Sequence, residues 1–180
     1  MKSQFWAYER GDGKVGIRNH LAIISTVHCS ATVTQRIADA VGATAVIHQN
    51  GCGQVGADLE QTLRMLIGMG NHPNAGAVIV VGLGCEAISP EAVAHRIQGK
   101  PVEVLTIQKI GGTTRTLQRG IQLAQRMQLA LSRQKRQLFG MERLILAVKC
   151  GGSGPSSGIA ANPALGIASD RLIRKGGTVI

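Results

Sequence analysis

Short runs of β-branched and aliphatic residues alternate with segments of helical periodicity along almost the whole chain, and this alternation limits the fold more than any other feature. Strands are expected near residues 21–27, 43–47, 77–81, 102–107 and 144–148, with a last one starting at Thr178. Helices are expected between them, over 31–41, 58–69, 90–98, 114–138 and 159–174; Ser89-Pro90 supplies both a capping hydroxyl and a fixed φ for the third. Strand, helix, strand repeated in this way calls for right-handed crossovers and parallel strands. The predicted class is therefore α/β, a doubly wound, mainly parallel Rossmann-like sheet. Hydrophobic residues make up 44% of the chain and aromatics only 2%, so the core must be built from Ala, Val, Ile and Leu, which suits layered packing. The expected plan is an N-terminal extension over residues 1–20 and one Rossmann-like domain over 21–180. The extension holds Phe5, Trp6 and Tyr8 and then Arg10-Gly11-Asp12-Gly13, a pattern for a short hairpin or edge strand.

Composition narrows the function classes. No apolar run reaches the roughly 18 to 20 residues needed to cross a bilayer, and the N-terminus has no charged-then-apolar signal pattern, so the expected location is the cytoplasm. The four cysteines are widely spaced with no C-x-x-C pair, which predicts reduced thiols rather than a disulfide framework or a zinc ribbon. The formal charge is +10, and residues 104–141 contain no Asp or Glu. At helical spacing, Arg115, Arg119, Arg126 and Arg133 share one sector, opposite Leu117, Ile121, Ala124, Met127, Leu131 and Leu138. That is an amphipathic surface helix whose basic face is first a solvated surface and second a docking surface. With so few aromatic rings to stack on bases, nucleic acid is not an expected partner.

The chemistry-bearing residues cluster by position. Cys29 follows the first expected strand, His48 through Cys52 the second, Gly82 through Glu86 the third, Lys109 through Thr113 the fourth, and Cys150 through Ser157 the fifth. Ligands of open α/β sheets bind outside the carboxyl ends of the strands, so one edge is expected to gather the thiols, His48, Glu86 and several glycine-rich turns. Thiolate and imidazole ligands suit iron or zinc. Cys52, Cys85 and Cys150, with His48, are candidate ligands of a metal ion or an iron–sulfur cluster; the other reading of each thiol is a small buried hydrophobe. Glu86 is a candidate base or ligand, or a carboxylate at a helix start. The turns at 51–53, 111–114 and 151–158 offer backbone N–H groups to an anion, naming Gly112, Thr113, Gly151, Gly152 and Ser153 as candidate substrate contacts. Asn162 reads as a helix cap or a substrate contact, and Arg18 and Asn19 as carboxylate contacts or as pins for the N-terminal segment. The run from Gly82 to Glu86 begins like a dinucleotide fingerprint but has Ala87 where its third glycine belongs, and no P-loop pattern occurs.

In combination these segments resemble the altronate dehydratase/D-galactarate dehydratase family, whose relatives include sulfolactate sulfo-lyase large subunits. The resemblance rests on the run from Tyr8 to Asn19, His48 with Gly51-Cys52-Gly53, His72-Pro73-Asn74, and Gly82-Leu83-Gly84-Cys85-Glu86. It continues through Lys149-Cys150-Gly151-Gly152-Ser153, Ser157-Gly158-Ile159, the run from Ala161 to Gly166, Ser169-Asp170 and Gly176-Gly177-Thr178, nearly the whole chain.

The resemblance implies elimination chemistry on hydroxy acids: loss of water from a sugar acid such as altronate or galactarate, or of sulfite from sulfolactate, assisted by a divalent metal, commonly iron. It points to His48 and Glu86 as base candidates, to Cys52, Cys85 and Cys150 around the metal, and to Arg18, Asn19, Ser153 and Asn162 on carboxylates or hydroxyls. Two departures bear on activity. Gly154 stands where the family usually has Asp after the Gly-Gly-Ser turn, and the chain stops at Ile180, about halfway through the family's catalytic region. An SAF-type small domain or subunit is then an expected partner, and open strand edges make a homo-oligomer expected. The competing expectation is a non-catalytic remnant or binding module that keeps an anion site.

Overall fold

A computed structural model describes residues 3–152 and 154–180, and within it the chain divides into two compact units, Tyr8–Lys135 and a second formed by Arg136–Ile180 with the strand residues up to Ala7. The larger unit is taken first. Strand β1 (Gln4–Glu9) ends in it and turns through residues 10–14 into the short β2 (Val15–Gly16), with Tyr8 opposite Gly16 and Glu9 opposite Val15. The expected hairpin is therefore present.

Next come β3 (His20–Ser25), α1 (His28–Val41), β4 (Thr44–Val46), α2 (Gly56–Gly70) and β5 (Ala75–Gly82). They are followed by α3 (Pro90–Ala94), β6 (Val102–Thr106), the single turn α4 (Ile107–Ile110) and α5 (Thr113–Ser132). The four central strands pair in parallel in the order β4-β3-β5-β6. Strand alternation assigns the two faces. Leu21, Ile23, Ala77, Ile79, Val81 and Leu105 pack with Val33 and Ile37 of α1 and Leu123, Ala124, Met127 and Leu131 of α5. Ala22, Ile24, Val78 and Val80 pack with Leu66 and, beyond the third helix's start, Val93 and Ile97. Every residue of β5 is buried, which is why it reads as an unbroken apolar run. The sheet is doubly wound, as expected, and its order reverses between β3 and β5.

Local signals explain the ends of several helices. The Ser89 hydroxyl accepts from the Ala92 N–H at 3.1 Å, with Pro90 inside the first turn, as the sequence predicts. Helix α5 buries Leu123, Ala124, Met127 and Leu131 and turns Arg115, Arg119 and Arg126 outward along one shallow groove. It stops at Ser132, not at Leu138. Residues Gln137–Gly140 form strand β7 instead, pairing antiparallel with Gln4 to Ala7 of β1, so Leu138 leaves the helical stripe and lies half exposed.

The second unit holds that pairing, with Phe5 and Phe139 ring centroids 6.5 Å apart, and then β8 (Ile145–Leu146), a π-helical turn at Ser157–Ala161, α6 (Asn162–Ile173) and β9 (Thr178–Val179). Strands β8 and β9 are parallel and pair with each other, not with the four-stranded sheet, so the expectation that all strands join one sheet is corrected. The physical reason is hydrogen bonding. Leu144 O accepts from Thr178 N, Leu146 O from Ile180 N, and Val148 N donates to Ile180 O, which satisfies the short β8 locally. No helix among the described residues is long and apolar enough to cross a membrane.

Candidate functional site

Three loops meet where the strand order reverses. The first is the turn from β3 into α1, the second runs from β4 to α2, and the third leaves β5. His28 N donates to Asn50 O at 3.0 Å, stitching the first loop to the second. Gly51 has φ +99°, and a Cβ there would stand 2.8 Å from Val27 Cα and closer still to Thr26 O, so only glycine lets these two backbones meet. The buried Thr26 hydroxyl donates to Glu86 Oε1 at 2.9 Å and ties the first loop to the third. Leu83 N donates to the same oxygen at 3.0 Å and Gly84 N to Oε2. A Cβ on Gly82 would strike Glu86 Oε1 and Pro90, so the carboxylate occupies space that this glycine leaves.

This arrangement decides what Glu86 can do. A carboxylate offers about four lone-pair positions. Oε1 uses two on Thr26 and Leu83 and Oε2 uses one on Gly84, which leaves Oε2 with one acceptor position. The helix-start reading does not apply, because α3 begins only at Pro90.

His48 is held by backbone at both ring nitrogens. Asn50 N–H donates to Nδ1 at 3.1 Å, so Nδ1 is the acceptor and the proton sits on Nε2, which donates to Ser25 O at 3.0 Å. His48 lines a cleft of about 310 Å³ with Ile47, Asp58, Thr62 and Met65, whereas Glu86 lines a hollow of about 110 Å³ with Ser89, Thr106 and Lys109. The two base candidates thus share the carboxyl edge of the sheet but not a pocket. In the smaller hollow Lys109 Nζ pairs with Glu91 Oε1 at 2.7 Å, and that bond holds the Glu91 carboxyl below its ordinary range.

All four thiols are exposed, so the reading as buried hydrophobes is set aside. Cys29 lies in the first turn of α1, which has no side-chain cap; Cys52 follows Gly51, and Cys85 sits between Gly84 and Glu86. Cys150 belongs to the second unit. Among the described residues, no three His, Cys, Asp or Glu side chains are grouped so that they could hold a metal ion.

The remaining candidates fall elsewhere. Gly112 is the residue before α5 and Thr113 opens it, at the carboxyl side of β6. Arg18 and Asn19 precede β3, at the amino edge of the sheet, opposite the three loops. Asn19 is fully engaged there: Oδ1 accepts from Arg10 at 2.9 Å and Nδ2 donates to Leu131 O and Gln134 Oε1. The nearly buried Arg10 also donates to Pro73 O and Arg18 O, so Asn19 acts as a pin for the N-terminal segment. Arg18 N donates to Asn74 Oδ1, which is held in the turn before β5. In the second unit, Gly151 and Gly152 are exposed, and Ser153 lies outside the described residues. Asn162 has helical φ and ψ and continues the π-helical turn into α6, so it does not cap that helix. Sequence reasoning left out Thr26. A Thr just after a buried strand that ends at a switch point was the available signal.

Family models match this arrangement along nearly its whole length. The D-galactarate dehydratase/altronate hydrolase second domain matches residues 7–132, and the D-galactarate/altronate dehydratase C-terminal domain matches 141–180. The chain belongs to the D-galactarate/altronate dehydratase family. An altronate dehydratase of Bacillus subtilis is 34% identical over 187 residues, covering 98% of this chain and 38% of the relative. An altronate dehydratase of Escherichia coli is 35% identical over 184 residues, covering 96% and 37%. The (2R)-sulfolactate sulfo-lyase subunit beta of Chromohalobacter salexigens is 34% identical over 177 residues, covering 98% and 45%. The chain spans less than half the length of these relatives.

Proposed function

We propose that this chain supplies the Rossmann-like part of a lyase that eliminates water from a sugar acid such as altronate or galactarate, or sulfite from sulfolactate. The observation that carries the reading is family membership across both matched regions, with relatives named for those reactions. In such an elimination a base takes the proton α to the carboxylate, the electron pair forms the C=C bond, and the β-substituent leaves. The enol then gives a 2-keto acid. Glu86 is the better base, since Oε2 keeps an acceptor position while both nitrogens of His48 are engaged. The N–H groups of Thr113 and, in the other unit, of Gly151 and Gly152 would each be open to a substrate carboxylate, whereas the Gly112 N–H is donated to Ile107 O at 2.9 Å. A divalent metal, iron by resemblance, would stabilise the enolate charge. No three-donor site for it exists among the described residues, and no step is assigned to it.

An SAF-type small subunit or domain is the proposed partner; the relative from Chromohalobacter salexigens is itself a subunit beta. Self-association into a homo-oligomer belongs to the same proposal. The second reading, a binding module that retains an anion site, is favoured by Gly154 in the position of the family's Asp and by the ungrouped donors. The deciding experiment is an anaerobic assay for 2-keto acid or sulfite with altronate, galactarate and sulfolactate, using the chain alone and with an SAF-type protein. Turnover that falls by roughly 10²- to 10⁴-fold in Glu86→Gln supports the lyase with Glu86 as base. Saturable binding of these acids with no turnover in any combination selects the binding module.

A further inference from the structure

Helix α5 carries its charges in the order that a free-standing helix disfavours. The backbone dipole makes acids stabilising near the N-terminal end of a helix and cations near the C-terminal end. Helices α2 and α3 follow that rule at their starts, with Asp58 and Glu91 in their first turns. In α5 the first turn holds no acid and the last turn no base, while Arg115 stands in the first turn. Arg119 follows four residues later, a spacing at which like charges repel. On α2 the same spacing joins Arg64 to Glu60 at 3.8 Å instead. Among the described residues, none of Arg115, Arg119, Arg126 and Arg133 is paired with a carboxylate.

The geometry of the same face narrows what would relieve it. Arg115, Arg119 and Arg126 line one shallow groove with three glutamines. Arg119, Arg126 and Arg133 recur every seven residues, about 10.5 Å apart along the axis. Leu129 falls in the same sector and is 56% exposed. The opposite side of the helix is buried in the core through Leu123, Ala124, Met127 and Leu131, which fixes the arginine face outward. Every cation on it is a guanidinium, which grips a carboxylate with two parallel hydrogen bonds and holds its water less tightly than an ammonium. From this we infer that the outer face of α5 docks an acidic helix of a partner protein, with carboxylates repeating every seven residues and an apolar side chain on Leu129. Such a partner offsets both the dipole penalty and the repulsion between Arg115 and Arg119. A row of phosphates would meet the charge but has nothing apolar to set against Leu129. The inference does not rest on the lyase reading.

The test uses the whole chain and, as probe, an alanine-based helical peptide with Glu at seven-residue intervals beside Leu, its glutamine counterpart serving as control. Binding is read by fluorescence anisotropy at physiological salt, and circular dichroism confirms the fold of each variant. The expected result is saturable binding of the acidic peptide alone. Arg119→Ala and Arg126→Ala together should weaken it by roughly 10-fold, and Leu129→Ser by roughly 3-fold. Arg115→Glu gives the most specific signature. It should weaken binding while raising the urea midpoint of the free chain, because the acid then stands at the N-terminal end and four residues before Arg119. No binding by the folded parent chain overturns the inference, as does binding that ignores the arginine substitutions. A midpoint that falls in Arg115→Glu removes its electrostatic premise and overturns it too. Tighter binding of duplex DNA or of phosphatidylserine vesicles than of the acidic peptide would assign the face to phosphates instead.

Discussion

The two units solve the problem of burying their apolar residues to very different extents. In Tyr8–Lys135 both faces of the sheet are covered by helices, and Ile23, Ile24, Ile37, Ile79 and Val80 are wholly buried. In the unit formed by Arg136–Ile180 with the start of β1, Ala7 and Leu172 are buried while Ile145, Ile159, Ile167 and Ile173 are more than half exposed. A two-stranded sheet with one helix has no second layer to cover its other face. The lesson is that similar strand and helix patterns yield a core only where enough strands stand side by side.

The largest effect should separate the units directly. Ile79→Ala removes a fully buried side chain from the centre of β5 and should lower stability by about 2–5 kcal/mol in urea unfolding, while Ile167→Ala on α6 should change it by no more than about 0.5 kcal/mol. Equal losses would break the comparison. Glycines sharpen it with opposite signs. Gly51→Ala should cost about 1–3 kcal/mol, because the residue sits at positive φ against Thr26 and Val27. Gly166→Ala, inside α6 with open space around it, should stabilise by roughly 1 kcal/mol. Thermal unfolding of the pair checks both.

A smaller effect belongs to the amino edge of the larger unit. Lys100 Nζ donates to Gly70 O and His72 O, and burial beside Arg10 pushes its pKa down to about 8 from 10.5. Below that folded value the charge is carried at a cost in the native state. Between about 8 and 10.5 the unfolded chain binds more protons, so stability should rise with pH through that window. Arg10 and Lys14 oppose the charge and Asp12 favours it, so Lys100→Met should flatten this rise in pH-dependent urea midpoints. A slope unchanged in the variant would remove Lys100 as its source. The smallest change is expected from Gly154→Asp in the other unit. Among the described residues a Cβ there meets only Ser157 Oγ at 3.7 Å, an ordinary contact, so stability should stay within about 0.5 kcal/mol. Any gain in elimination rate would then report chemistry rather than folding.

Much of the larger unit was legible before any coordinates. The unbroken apolar run around Val78 to Val81, the alternating faces of β3, and the Ser89-Pro90 start were each readable because burial, period and capping are written within a few residues. The site was legible as an edge, with His48, Cys52, Cys85 and Glu86 on its loops. It was not legible as a network. Nothing near Thr26 in sequence announces its bond to Glu86, and nothing around His48 announces that both ring nitrogens are taken.

The sequence by itself determined the alternation of strands and helices, the α/β class and the loops that carry the chemistry, because these follow from local periodicity and turn chemistry. Only the tertiary structure decided that α5 yields to β7 at its end, that β8 turns to β9, that Asn19 pins the amino edge, and that Thr26 binds the Glu86 carboxylate. Those outcomes depend on which backbone groups find partners far along the chain, and a hydrogen bond between distant residues leaves no periodic trace in either segment.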